Sequence, residues 1–161
     1  GSGAGFPGIP LKIMFPEMKI VLIDSLGKRI NYLNIVKQEL GLVNLETRHA
    51  RAEDIGRDSN FRQKFDIVVA RAVAELPILL EYASPLLKVG GHLLAAKGQN
   101  TEAEIAAAQR ALSELNCQIE MVEKYVLADN ADNRALIAIS KTGDTPPKYP
   151  RQAGKPKKNP L

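Results

Sequence analysis

Gly1-Ser2-Gly3-Ala4-Gly5-Phe6-Pro7-Gly8-Ile9-Pro10-Leu11 is the stretch whose reading decides the fold. Its alternating glycines let a backbone turn tightly and approach a ligand without Cβ clashes. The apolar run Lys19-Ile20-Val21-Leu22-Ile23 follows and ends at Asp24. A glycine loop followed by an acid at a strand end reads as an adenosine-cofactor pocket. The loop lies near the cofactor's backbone and the carboxylate meets the ribose hydroxyls. Such a loop follows a buried central strand, so a first strand ahead of Gly1 is expected and the chain reads as N-terminally truncated.

Outward from the loop, helical and apolar segments alternate. Phe6 to Phe15 reads as a helix entered through Pro7 and closed by Pro16. Lys19 to Ile23 reads as a strand covered on both faces. Gly27 to Leu40 is amphipathic, with Ile30, Leu33, Val36 and Leu40 at helical spacing and Gly41 as the stop. Val43 to His49 alternates like a strand. Ala52 to Lys64 is polar, and Phe65 to Ala70 is a strand. Leu76 to Leu87 reads as a helix, and Gly90-Gly91 as a turn into a strand from His92 to Ala96. Thr101 with Glu104 forms a capping box for a helix running to about Leu115. Gln118 to Val126 and Arg134 to Ser140 read as a final hairpin, because the link between them is too short for a crossover helix. The order predicts an α/β fold: a Rossmann-like, mostly parallel sheet with a reversed terminal strand. Residues 1–144 form the predicted domain, and 145–161 a basic Pro/Lys-rich tail.

Composition agrees with one globular α/β domain: 161 residues, 45% hydrophobic and 25% charged. No apolar run is long enough for a membrane span, so no membrane partner is expected. Cys117 is the single cysteine, which excludes an intrachain disulfide and fits a reducing cytoplasm. With only His49 and His92 beside it, no metal site is expected. The formal net charge is +4, yet the segment 145–161 alone holds Lys148, Arg151, Lys155, Lys157 and Lys158 and no acid. The tail thus carries +5 and the remaining residues −1. This concentration points to a polyanion partner or to a disordered, solubilising end.

The loop has two registers. Gly1-x-Gly3-x-Gly5 suits the S-adenosylmethionine (SAM) methyltransferase pattern, and Gly3-x-Gly5-x-x-Gly8 suits a dinucleotide fingerprint. The reversed hairpin favours the first; the second leaves an NAD-dependent oxidoreductase as the alternative. Asp24 is the candidate for the ribose, with a helix-capping role as its structural competitor. Ala52-Glu53 borders the adenine in this layout, where a small residue leaves room for the ring and the acid accepts from its exocyclic amine. Arg71 ends a strand at the same edge and suits a carboxylate or phosphate, or else an ion pair with Glu75. Lys97 ends the next strand and is a candidate for the cleft. Tyr149 either stacks on a base or packs back on the body.

These residues together resemble a known family. The loop through Leu11, Leu22-Ile23-Asp24-Ser25-Leu26-Gly27-Lys28-Arg29, Arg51-Ala52-Glu53, Ala70-Arg71-Ala72 and the tail from Lys148 to Leu161 are similar to the bacterial 16S ribosomal RNA guanine-N7 methyltransferases, also called glucose-inhibited division protein B. The resemblance implies a class I SAM-dependent enzyme acting in the cytoplasm on 16S rRNA of the small ribosomal subunit, expected as a monomer. It implies cofactor contacts at Gly1, Phe6, Ala52, Glu53 and Arg71, and, from the broader methyltransferase class, at Asp24. RNA contacts are expected at Lys97, Lys148, Arg151, Lys155, Lys157 and Lys158. No catalytic acid, base or nucleophile is expected, since guanine N7 carries an in-plane lone pair and needs only positioning. A non-catalytic RNA-binding fragment is the remaining alternative.

Overall fold

A computed structural model describes residues 1–126 and 133–161. The chain divides into two compact units, Gly1–Ala52 and Glu53–Leu161. The link expected between the last two strands lies largely outside the described residues.

In the first unit, the glycine loop leads into α1 (Gly8–Met14), followed by β1 (Ile20–Asp24), α2 (Gly27–Glu39) and β2 (Leu45–His49). β1 and β2 pair in parallel, with Leu22 opposite Thr47 and Asp24 opposite His49. Ile30 and Leu33 of α2, three residues apart on one helix face, are buried with Ile9, Leu22 and Leu45. β2 starts two residues later than the alternation predicts, because Asn44 turns the chain at φ +56. Gly5, at φ +95, admits no side chain: an added Cβ would lie 2.4 Å from Ile9 Cγ1.

The second unit begins within α3 (Ala52–Ile55) and continues through β3 (Phe65–Arg71), α4 (Leu76–Ala83), a 3₁₀ turn (Ser84–Leu86) and β4 (Leu87–Lys97). Then come α5 (Thr101–Ala107), α6 (Gln109–Glu114), β5 (Cys117–Val126), β6 (Asn133–Lys141) and the short α7 (Lys155–Lys158). The sheet order is β3-β4-β6-β5. β3 and β4 are parallel, while β6 runs antiparallel to both its neighbours. The reversed strand of the expected hairpin is therefore β6, inserted between β4 and β5. The second half of β6, from Ile137 to Lys141, is buried, as an interior strand must be. Ile137, Ile139, Leu93 and Ala95 meet Leu76, Leu80 and Leu112 in the core.

Three expected elements differ. The helix from Leu76 stops at Ala83 because Pro85 has no N–H to extend the ladder. Gly90-Gly91 is no turn between elements but an irregularity inside β4, where Phe65 pairs with Leu87 but Ile67 with His92. Gly91 sits so close to β3 that a Cβ would lie 2.9 Å from Asp66 O and 3.1 Å from Phe65 O. The helix from Thr101 is broken at Ala108 into α5 and α6. Its capping box does not form: Thr101 Oγ1 donates to Gly98 O, and Glu104 points elsewhere.

Candidate functional site

The first unit holds the glycine loop and Asp24 together. Gly3 N–H donates to Asp24 Oδ2 at 2.9 Å, and Leu26 N–H to Oδ1 at 3.0 Å. Arg29 Nη1 pairs with Oδ2 at 3.3 Å. Asp24 is 1% exposed. Burial would push its carboxyl pKa up, but the Gly3 and Leu26 amides, with nearby positive charge, hold it below the usual range. The carboxylate brackets the loop to the turn that enters α2; it does not cap the helix, whose N-cap is Leu26 with no side-chain cap hydrogen bond. The loop's start is fixed in the same way. Gly1 N and Ser2 N donate to Ile23 O at 2.8 Å, and Ile23 N–H donates back to Ser2 Oγ at 2.8 Å. Phe6 stands exposed at the loop's end, ahead of a cis Pro7. Ala52, half-buried, opens α3.

In the second unit, Glu53 is 6% exposed. Its Oε1 accepts from Gly154 N–H at 3.0 Å; among the described residues this is the only hydrogen bond to the carboxylate, leaving Oε2 available. A buried carboxylate with one neutral donor and a spare oxygen fits a ligand amine, because the ligand supplies the missing donor. Arg71 ends β3 opposite Ala96, with its side chain exposed. The next residue, Ala72, turns the chain at φ +53.

Lys97 does not present itself to an open cleft. Its side chain is 7% exposed, and Nζ donates to Glu104 Oε2 at 2.6 Å and to Ala74 O at 2.7 Å. The same Glu104 oxygen accepts from Leu76 N–H at 2.7 Å, so α5 caps α4. This is the use to which the structure puts Glu104 in place of the capping box.

Residues 145–161 are fastened to the second unit and do not hang from it. Tyr149 is 3% exposed within the core cluster, which decides between its two readings in favour of packing back. Its hydroxyl donates to Glu114 Oε2, and Lys148 Nζ reaches the same oxygen at 3.2 Å. The Tyr149 hydroxyl, Arg110 and Lys148 together pull the Glu114 carboxyl pKa down to about 2. Arg62 donates to Thr145 O, Tyr149 O and Gly56 O at 2.8–2.9 Å. Arg57 Nε donates to Pro150 O at 2.9 Å. Arg151 is a fork on Glu81: Nε lies 3.0 Å from Oε1 and Nη2 2.6 Å from Oε2. Arg151 and Lys148 thus have structural partners, whereas Lys155, Lys157 and Lys158 on α7 are exposed.

Arg57, Arg62 and Glu81 were not singled out from sequence. Arg57 and Arg62 bond to backbone carbonyls roughly ninety residues away, which no local pattern records. Glu81 had a signal: it is the one charge in the apolar helix Leu-Pro-Ile-Leu-Leu-Glu-Tyr-Ala. His92 Nε2 lies 3.1 Å from Glu120 Oε2. Both side chains are over two-fifths exposed, so this is a surface cross-strand pair. Among the described residues no His/Cys/Asp/Glu group could hold a metal, and no helix is long and apolar enough to cross a membrane.

Comparison with solved structures places the fold. The 16S rRNA (adenine(1408)-N(1))-methyltransferase of Catenulisporales acidiphilia, with cosubstrate SAM, aligns at TM-score 0.72 and 14% identity, over 89% of this chain and 83% of that one. Geranyl diphosphate C-methyltransferase of Streptomyces coelicolor A3(2) aligns at 0.66 and 14%, over 88% and 72%. The fold is that of the class I SAM-dependent methyltransferases. Curated relatives named ribosomal RNA small subunit methyltransferase G are closer in sequence. Those of Desulfitobacterium hafniense and Acetivibrio thermocellus are each 52% identical over all 161 residues, which span 67% and 66% of their lengths. Residues 1–135 match the family described as GidB, rRNA small subunit methyltransferase G, and the chain belongs to that family.

Proposed function

We propose that this protein transfers the methyl group of SAM to N7 of a guanine in 16S rRNA of the small ribosomal subunit. The observation that carries the reading is 52% identity, over the whole chain, to proteins named for methylating small-subunit rRNA. SAM supplies an electrophilic methyl on a sulfonium. The N7 lone pair of guanine is unprotonated at neutral pH and lies in the ring plane, so no base has to remove a proton. The work left to the chain is to hold both partners in line and exclude water.

Particular residues fit that work. The loop from Gly1 to Phe6, held against Asp24, offers a close backbone approach at one end of the cofactor. Asp24 fits the ribose, with the second lone pair of Oδ1 as acceptor. Glu53 Oε2 fits the adenine amine, Ala52 leaves space beside it, and Arg71 fits a carboxylate or phosphate. Lys155, Lys157 and Lys158 fit RNA phosphates, with Lys148 at the margin of the same segment. Lys97 and Arg151 support the scaffold through Glu104 and Glu81. A cytoplasmic monomer completes the reading.

Titration by calorimetry with SAM and separately with NADH tests the cofactor assignment. SAM binding without NADH binding is expected, and Asp24→Ala should weaken it by about 1–3 kcal/mol, the scale of an unmet polar partner. NADH binding in place of SAM would overturn the reading in favour of an oxidoreductase.

A further inference from the structure

We propose that the C-terminal strap, residues 149–158, is a positioning element for Glu53, so that recognition of the adenine ring depends on Gly154. The proposal rests on the reading of Glu53 as the adenine acceptor.

The geometry is specific. The Glu53 carboxylate is buried, and the Gly154 N–H is its only hydrogen-bond donor among the described residues. That donor takes Oε1 and leaves Oε2, so the carboxylate is oriented without being saturated. No cation pairs with it among the described residues. A group held this way loses little further freedom when a ligand amine arrives, which is the benefit of preorganisation.

Gly154 can donate only because the strap holds it in place. It sits at φ +84 and ψ −17, in the left-handed region, just ahead of α7. On its N-terminal side, Tyr149 is buried, Pro150 O accepts from Arg57, and Arg151 forks onto Glu81. The Arg151 N–H adds a bond of 2.7 Å to Glu81 Oε1. On the other side, Asn159 O accepts from Arg151 Nη2 at 2.8 Å and closes the strap on itself. Arg57 lies just beyond α3, the helix that carries Glu53. The strap therefore grips the Glu53 segment at the Glu53 carboxylate and at Arg57.

Gly154→Pro deletes the N–H and, with its ring holding φ at about −65°, also removes the left-handed turn that aims it, whereas Gly154→Asn keeps the N–H on a residue that tolerates positive φ. A Cβ at Gly154 meets nothing within 4 Å. Calorimetry would compare S-adenosylhomocysteine with its deaminated inosyl analogue, which lacks the exocyclic amine. The unsubstituted protein should prefer the adenosyl ligand. Gly154→Pro should cut that affinity about five- to tenfold, the size of one lost hydrogen bond, and leave the inosyl affinity unchanged. Gly154→Asn should retain the preference. Should Gly154→Pro fail to fold, deletion of residues 153–161, which spares Tyr149 and Arg151, should give the same collapse of the ratio. In a Glu53→Gln background, Gly154→Pro should change nothing further. Equal loss for both ligands, or the same loss in the Glu53→Gln background, would overturn the proposal while leaving Glu53 in the site. If Glu53→Gln itself leaves the ratio intact, the adenine reading has failed and the strap proposal falls with it.

Discussion

Arg62→Met removes the anchor of residues 145–149, which lead into the C-terminal strap, while keeping much of the side chain's length. The guanidinium donates to Gly56 O at 2.9 Å, Tyr149 O at 2.8 Å and Thr145 O at 2.9 Å, with a weaker contact to Pro146 O at 3.5 Å. Bonds from a charged donor contribute about 1.5–3 kcal/mol each before the cost of desolvating the donor is subtracted. That cost is present here, because burial lowers the Arg62 pKa below the usual arginine value, followed by repulsion from Arg57. Three ordinary bonds less that penalty leave a net loss of about 3–5 kcal/mol, the range for breaking a half-buried charged network. For a chain of this size each kcal/mol lowers Tm by roughly 2–4 °C, so a fall of roughly 6–20 °C is expected in thermal unfolding followed by circular dichroism. Trypsin should then cut first after Lys157 or Lys158, the exposed lysines beyond the anchor that no proline follows. Arg62→Lys should fall between, since one compact ammonium cannot reach carbonyls that the guanidinium meets with two separate nitrogens. A Tm within about 1 °C of the unsubstituted protein, with no faster cleavage at these lysines, would refute the anchoring role; the scale of the comparison is that of an ordinary surface change.

Four further outcomes are expected. Asp24→Ala should lower stability by about 2–3 kcal/mol in urea unfolding, because the Gly3 and Leu26 amides lose their acceptor. Asp24's carboxyl pKa is lowered in the folded state, so its contribution is full above its unfolded value near 3.8 and lost as pH falls through the folded value. Tyr149→Phe should remove the first-named cause of the depressed Glu114 pKa. The Glu114 carboxyl, now titrating near 2, should move toward 4.5 in an NMR titration, and an unmoved value would contradict the contact. Cys117 should react slowly with iodoacetamide at pH 8, since burial raises its thiol pKa to about 11; rapid labelling of the folded protein would contradict that burial. Gly91→Ala should destabilise by several kcal/mol, about the cost of forcing atoms into a packed backbone contact, because its Cβ meets carbonyl oxygens and not a movable side-chain end.

The parts legible in the sequence were those written locally. α1, α2, β1 and β3 carry their own periodicity and stops, and the short loop before β6 dictated an antiparallel strand. Asp24 was legible because its partners, the glycine loop and the entry of α2, are set by the same short motif. What was not legible depends on distant partners. Glu104 has the spacing of a capping box, yet Lys97 and the Leu76 N–H compete for it and win. Gly90-Gly91 has the composition of a turn, but the neighbouring strand β3 turns it into an irregularity within β4. The tail's Pro/Lys composition reads as solvated. The carbonyls it offers to Arg57 and Arg62 carry no side-chain signature, so its docking was invisible.

The central claim is tested most directly by the methylated product. SAM labelled in its methyl group would be incubated with the protein and small-subunit rRNA lacking the modification, followed by digestion and nucleoside analysis. Label in N7-methylguanosine is the expected result. Label confined to any other nucleoside, or no transfer by a protein that binds SAM, would contradict the account.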